Sequence, residues 1–325
     1  MIVNPSSCSG LTGKGWDDLY PKVKSELGGN PEVVFTKKLG DGTRLARAFL
    51  KKGVTKIVAL GGDGTINEVA NGFFEDSFAI EKAKHDGITF PSPSALEPVN
   101  TKAVMAVVPC GTRNVLAKSL GLPEGVVECC RTFSLGKPRK IDVISATVTK
   151  LNKRAVVTRI VLNAAEIGAG AEIIDRSKKV RELVNNRVVS TIAGIISTVP
   201  TYQSNECEVS LNDGQKRFSS KMTMTLISNG SFLGGGFMAA PKANMSDGLL
   251  DLVMLKDSGS LKMLDELVNM KDGEYADEDK VFYRQVKKVS LASKERDVTV
   301  TIDGEPVGIL PATFEIIPNA LAIRM

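Results

Sequence analysis

Apolar and polar positions change their period part-way along the chain. In the first part, short apolar runs alternate with helix-spaced stretches. Ile2–Asn4 reads as a strand stub ahead of a Gly/Ser loop, and Trp16, Leu19, Val23 and Leu27 fall on one face of a helix over Trp16–Leu27. Glu32–Phe35 is a short apolar run, followed by a helix over Asp41–Lys52 with Asp41 or Thr43 as its cap. Lys56–Leu60 is a buried-type strand that stops at Gly61-Gly62-Asp63-Gly64-Thr65, after which Ile66–Phe74 is helical again. Val104–Val108 repeats the arrangement, running into Pro109-Cys110-Gly111-Thr112 and a helix over Asn114–Leu120 that Gly121-Leu122-Pro123 closes. Such alternation predicts a parallel sheet with helices on its faces.

Past residue 138 a period of two takes over. The runs are Val143–Val148, Ala155–Leu162, Glu206–Leu211, Met222–Ile227, Leu249–Leu255, Val286–Leu291, Val298–Ile302 and Thr313–Ile317. Asn152 with Lys153, and Asn212-Asp213-Gly214, are hairpin turns. Helical intervals near 172–199 and 260–271 interrupt the strands. The expected fold class is therefore an α/β N-terminal domain with a parallel sheet plus a mainly antiparallel β-sandwich C-terminal domain. A boundary at Gly136-Lys137-Pro138 gives domains of 1–137 and 138–325, with a return of the last residues to the first domain left open. Residues 86–101, with Pro91, Pro93 and Pro98, form a loop excursion expected to be disordered or surface-lying.

Composition narrows the function. At 42% apolar and 24% charged the chain is neither disordered nor fibrous, and it has no run of 18 apolar residues. A net charge of +5 favours an anionic partner, but the basic residues are scattered and aromatics are only 5%, which argues against nucleic acid. Five cysteines at irregular spacing, without a CxxC pair, point to reduced thiols and no zinc site. With no leader-like opening segment, a cytoplasmic protein is expected, with peripheral contact at the inner membrane face left open. His85, the sole histidine, lies in the polar stretch Lys82-Ala83-Lys84-His85-Asp86, so proton chemistry falls to Asp, Glu or Lys.

The strand-to-helix turn Gly61–Thr65 lets backbone N–H groups approach phosphate oxygens at a helix N-terminus. Asp63 within it suits a magnesium ion, a water or a ribose hydroxyl; the plain alternative is a tight turn capped by Asp63 or Thr65. Gly111, Thr112 and Asn114 form a second loop of the same kind, and the loop Asn4–Lys14 brings Ser9, Gly10 and Lys14 to the same sheet edge. Lys14 reads equally as a phosphate contact or a solvated surface lysine. In the second half, Asp303 and Glu305 share a face if the strand Val298–Ile302 continues through them, or belong to a plain Asp-Gly hairpin if it does not. Asp247-Gly248-Leu249-Leu250-Asp251 is either a hard-cation site or an Asp-Gly turn. Val188–Val199, preceded by Lys178, Lys179, Arg181 and Arg187, is expected to be a core helix, with membrane contact as the alternative.

Taken in order, Asn4-Pro5…Ser9-Gly10, Gly61–Thr65 with Asn67-Glu68-Val69, Pro109…Gly111-Thr112…Asn114, Asp247–Asp251 and Asp303-Gly304-Glu305 resemble the diacylglycerol kinase catalytic domain family, over nearly the whole chain. The glycine string alone is shared with NAD kinases; Asn67-Glu68-Val69 and the Asp303–Glu305 element favour the lipid kinase branch. The resemblance implies ATP between the two domains on Gly61, Gly62, Asp63, Gly64 and Thr65, with Thr36, Asn67 and Thr112 nearby and the motif residues Asn4, Ser9, Gly10, Lys14, Glu68 and Gly111 completing the site. It implies Mg2+ held by the Asp247 side chain and by carbonyls near Asn244 and Leu249. Glu305 would be the proton acceptor, with Asp303 assisting. The implied reaction is transfer of the γ-phosphate of ATP to a lipid alcohol, such as diacylglycerol or a sphingoid base; an NAD kinase-like enzyme and an inactive lipid- or nucleotide-binding protein are the alternatives. Transient membrane contact and a homodimer stay open.

Overall fold

The computed structural model describes residues 1–75, 80–82, 90–92, 96–111, 113–184, 187–257, 259–275 and 279–325. Thr112, and residues 86–89 and 93–95 of the proline-bearing excursion, lie outside the described residues. In chain order the elements are β1 (Ile2–Val3), α1 (Leu11–Lys14), α2 (Trp16–Leu27), β2 (Val34–Phe35), α3 (Asp41–Lys51), β3 (Lys56–Gly61), α4 (Asp63–Asn71), β4 (Ile80–Lys82), β5 (Val104–Pro109), α5 (Val115–Ser119) and α6 (Val126–Leu135). They continue with β6 (Pro138–Thr149), β7 (Ala155–Val161), β8 (Ala164–Gly168), α7 (Ala169–Leu183), α8 (Arg187–Thr198), β9 (Asn205–Leu211), β10 (Lys216–Ser228) and β11 (Leu250–Lys256). The last are α9 (Ser260–Asn269), β12 (Val281–Val286), β13 (Lys288–Ser293), β14 (Thr299–Ile302) and β15 (Glu305–Arg324).

The chain divides into two units. Unit 1 comprises Met1–Ser77, Ala95–Val143 and Pro318–Met325; unit 2 comprises Phe78–Ser94 and Ile144–Ile317. Unit 1 is built on the parallel order β2-β1-β3-β5, as the βα alternation predicts. Its central strands are apolar throughout because both faces are covered. Val58 and Leu60 of β3 pack with Val3, Val23 of α2, and Cys129, Cys130 and Phe133 of α6. Ile57 and Ala59, also buried, face the other side by strand alternation. The register of β3 on β5 runs from Lys56↔Val104 to Gly61↔Pro109, so both strands end at the same level. That alignment sets the two glycine loops side by side. The C-terminal residues belong here as well: Ile323 pairs in parallel with Met105, and the Asn319 N–H donates to the buried Asp142 carboxylate at 2.7 Å.

Unit 2 is an antiparallel, sandwich-like body, as the period-two runs predict. Its strands follow the order β12-β11-β10-β8-β14-β15, with β9 joined to β10 and β13 and with β13 joined to β15. One core, from Ile144 to Ile316, includes Val161, Ile167, Ile227, Leu252, Val289 and Phe314. A second core lies under α8 and α9 and includes Ile195, Val199, Leu226, Val253, Met263 and Leu267. The expected single run Val286–Leu291 is divided between two strands instead: β12 pairs with β11, while β13 pairs with β15 and β9. Likewise Thr313–Ile317 is one stretch of the 20-residue β15. The turn at Asn212-Asp213-Gly214 joins β9 to β10 with φ of 45°, 58° and 90°, the left-handed values that such residues accept. Among the described residues no helix is long and apolar enough to cross a membrane.

Candidate active site

In unit 1 three loops leave the ends of β1, β3 and β5, and side chains rather than chance hold them in register. The Asn4 amide donates to Thr65 Oγ1 at 2.8 Å, while its carbonyl oxygen accepts the Ser6 N–H at 2.9 Å. Asn4 therefore ties the first loop to the first turn of α4. Ser9 and Gly10 have φ of 57° and 84°, a local left-handed bend in which the Gly10 N–H donates to the Ser6 and Ser7 carbonyls at 3.1 Å. Lys14 is exposed in the last turn of α1, and Thr36 donates its N–H to the Val3 carbonyl at 2.9 Å, just past β2.

The second and third loops touch through glycines. A Cβ on Gly111 would lie 2.5 Å from the Gly62 Cα, and one on Gly61 would lie 2.7 Å from the Thr65 Cβ. No other residue type fits without moving backbone. The Cys110 N–H donates to the Gly61 carbonyl at 2.7 Å, and the Gly111 N–H donates to Asn114 Oδ1 at 3.0 Å. Asn114 itself sits in the left-handed region, φ 50°, which its side chain tolerates. Asp63 bridges the loops: its Oδ1 accepts the Leu116 N–H at 3.2 Å. Burial pushes the Asp63 carboxyl above the ordinary carboxylate range, and that N–H bond opposes the shift. Glu68 faces away from phosphate duty, because its two oxygens accept the N–H groups of Gly40 and Gly42 at 2.7 and 2.9 Å and so cap α3. Asn67 Oδ1 accepts from the Asn71 amide at 2.9 Å. Gly64 lies in the first turn of α4, the end with unfilled N–H groups.

In unit 2 the strand does not continue through Asp303. β14 ends at Ile302, which pairs directly with Glu305 of β15, so Asp303-Gly304 is a two-residue hairpin turn with φ of 48° and 82°. Asp303 is nonetheless more than a turn residue. Its Oδ1 accepts the N–H groups of Asn163 and Ala164 at 2.9 and 3.0 Å, its Oδ2 accepts that of Leu162 at 2.9 Å, and its own N–H donates to the Ala164 carbonyl at 2.9 Å. These bonds stitch the turn to the segment between β7 and β8. Lys178 of α7 donates from Nζ to the Gly304 carbonyl at 2.7 Å. Glu305, half-buried, keeps its carboxylate without a hydrogen-bond partner among the described residues. Sequence reasoning did not anticipate Lys178 or the Leu162–Ala164 backbone in this role, since nothing in their residue types signals it.

The candidate cation turn carries an exposed Asp247 whose Oδ1 accepts the Leu249 N–H at 2.9 Å, while the exposed Asn244 accepts from Ser246. Among the described residues no cluster of three or more His, Cys, Asp or Glu could hold a metal, so any ion here rests on one carboxylate and main-chain oxygens. That all-oxygen, solvent-facing set fits a magnesium ion that keeps several waters. Asp251 strengthens the fit. It is buried, one of its oxygens accepts the Tyr283 hydroxyl at 2.7 Å, and the other has no partner. Burial, with a smaller contribution from the Asp247 charge, pushes its carboxyl up.

Comparison with known proteins identifies the family. The diacylglycerol kinase catalytic domain family matches residues 1–146, and the YegS C-terminal NAD kinase beta sandwich-like domain matches residues 163–325. The diacylglycerol kinase of Bacillus subtilis is 25% identical over 316 residues, covering 97% of this chain and 91% of that one. The lipid kinase YegS of Escherichia coli is 27% identical, covering 100% of this chain and 97% of that one. In fold, a crystal structure of a diacylglycerol kinase from Bacillus anthracis aligns with a TM-score of 0.67 at 20% identity, over 99% of this chain and 94% of that one. Two family matches, one over residues 1–146 with the glycine loops and one over residues 163–325 with the Asp303–Glu305 hairpin, leave one conclusion: the chain belongs to the lipid kinase family that joins a diacylglycerol kinase catalytic domain to a YegS-type C-terminal domain.

Proposed function

We propose that this lipid kinase transfers the γ-phosphoryl group of ATP to the hydroxyl of a membrane lipid alcohol. The observation that carries the reading is the glycine-on-glycine contact of Gly62 and Gly111 at the ends of two adjacent parallel strands. Main chain stripped of side chains, beside the N-terminus of α4, is what a polyphosphate needs in order to approach backbone N–H groups. Thr65, held by Asn4, fixes the first turn of that helix, and Lys14 supplies a mobile positive charge. Asp63 keeps the two loops together rather than touching phosphate.

In the transfer, an O–P bond forms between the lipid oxygen and the γ-phosphorus. The bond from that phosphorus to the β–γ bridging oxygen breaks, and its electron pair leaves with ADP. The lipid hydroxyl proton passes to Glu305, whose carboxylate is unengaged. Because phosphoryl transfer is mostly positioning and charge neutralisation, the base contributes a minor share. Asp247 and carbonyls near Asn244 and Leu249 would hold Mg2+, which supplies positive charge and order to this turn.

The lipid reading also accounts for an exposed apolar face. Ile195 and Val199 of the α8 region are buried, yet Val189, Ile192 and Ile196 are exposed, and Leu183 at the end of α7 is 87% exposed. The helix is thus two-faced rather than wholly core, and its exposed apolar residues suit a bilayer surface. Labelled ATP offered with a panel of lipid alcohols in mixed micelles tests the proposal. Label appearing in a lipid supports it; label passing to NAD and to no lipid overturns it.

A further inference from the structure

We infer that Lys178 is a positioning residue for the transfer, acting through Glu305. The inference rests on Glu305 being the base and adds the device that aims it. A two-residue Asp-Gly hairpin holds its own register. The turn at Asp303-Gly304 carries more ties than that requires. Asp303 is bonded on both sides to residues 162–164, which fixes the turn against β8. The side chain of Thr301, two residues earlier, donates to Glu166 Oε2 on β8 at 2.8 Å, which fixes β14 laterally. None of these bonds reaches the far half of the turn.

Lys178 does. The Gly304 carbonyl that accepts its ammonium group at 2.7 Å belongs to the same planar peptide unit as the Glu305 N–H. Holding that oxygen holds the plane, and the plane sets the direction of the Glu305 Cα–Cβ bond. Gly304 needs such a restraint more than another residue would, since it lacks a Cβ and its backbone is the softest in the turn. The anchor point is itself firm. α7 springs directly from β8 at Gly168, which adopts φ 79°, and a Cβ there would lie 2.7 Å from the Thr223 carbonyl oxygen. Strand β8 lies beside β14, with Glu166 opposite Thr301 and Ile167 opposite Val300. Lysine and base hairpin therefore hang from one rigid pair of strands. Within the turn the Glu305 carboxylate alone, among the described residues, is left without a bond, as a group reserved for substrate must be.

Lys178→Met removes the ammonium and keeps the aliphatic stem; Lys178→Arg keeps a charged donor. The full-length protein is assayed with ATP and a lipid alcohol in mixed micelles, with thermal unfolding and vesicle co-sedimentation measured in parallel. Lys178→Met lowers kcat about fivefold to tenfold, the share of one hydrogen bond from an exposed lysine, discounted for solvent. KM for ATP, unfolding temperature and vesicle binding stay unchanged, and Lys178→Arg recovers most of the rate. The deciding arm is Glu305→Gln. If Lys178 acts through Glu305, adding Lys178→Met to Glu305→Gln costs nothing further. A persisting fivefold to tenfold loss in that background, or a kcat loss that tracks unfolding temperature or vesicle binding, overturns the inference. A wild-type rate in Glu305→Gln overturns the base assignment itself, while a slow Glu305→Gln beside a normal Lys178→Met overturns the positioning role alone.

Discussion

Replacing Asp303 separates its bonding from its backbone conformation. The carboxylate accepts three N–H groups, two on Oδ1 and one on Oδ2. Asp303→Asn keeps one acceptor oxygen for Asn163 and Ala164 but sets an NH2 group against the Leu162 N–H. It loses one bond and leaves a donor facing a donor, worth about 2 kcal/mol at this half-buried position. Asparagine also tolerates the φ of 48° at this position, so no backbone strain is added. Asp303→Ala loses all three bonds, and a left-handed alanine costs a further ~1–2 kcal/mol, for a total of about 5 kcal/mol. With about 2–4 °C per kcal/mol for a body of this size, the midpoint of unit 2 should fall by roughly 4–8 °C in the asparagine variant and by at least twice that in the alanine variant. Thermal unfolding followed by circular dichroism reads both. Equal midpoints for the two variants, or a midpoint for either that matches wild type, would refute the reasoning that backbone capture is what Asp303 does.

Other consequences are open to direct measurement. Gly111→Ala places a Cβ 2.5 Å from the Gly62 Cα and forces the two loops apart, so KM for ATP should rise more than about tenfold while unfolding of unit 2 is unaffected; an unchanged KM removes the loops from nucleotide binding. Burial raises the Asp63 carboxyl, so its share of stability is fully present below the ordinary carboxylate pKa of about 3.9 and is lost as pH rises through the higher folded value. Asp63→Asn should therefore gain stability relative to wild type as pH rises above about 4, measured by urea unfolding; a difference that stays constant as pH rises contradicts the burial argument. Leu183→Ser with Ile196→Ser should weaken binding to anionic vesicles at least about tenfold, from roughly 0.8 kcal/mol per methylene kept out of the bilayer, with activity on short-chain soluble substrate retained. Unchanged co-sedimentation would assign that face to something other than lipid.

Much of the fold was legible because its signals are periodic. The helix Trp16–Leu27, the strands that lead into the Gly61 and Gly111 loops and the Asn212 turn all appear where residue spacing put them. Elements without such a signal escaped. Strand β8, Ala164–Gly168, is five residues of mostly small side chains, and its place in unit 2 comes from pairing with β10 and β14 rather than from its own pattern. Helix α6, Val126–Leu135, went unread although its Cys129, Cys130 and Phe133 complete the unit 1 core. A single residue, Lys287, separates β12 from β13, and a one-residue break is invisible to a period-two count. At the site, the glycine loops were readable because only glycine permits their contact. The partners of Asp303, Glu68 and Lys178 were not, because main-chain N–H and carbonyl groups carry no residue identity and are brought together by pairings distant in sequence, such as Asp303 with Asn163.

Phosphoryl transfer from labelled ATP to a lipid alcohol by wild type and Glu305→Gln, with ATP affinity measured on both, tests the central claim most directly. The account predicts label in the lipid for wild type, a fall of about 10²–10⁴-fold in turnover for the variant and an unchanged ATP affinity. Turnover in Glu305→Gln equal to wild type, or an ATP affinity that collapses together with the rate, would contradict it.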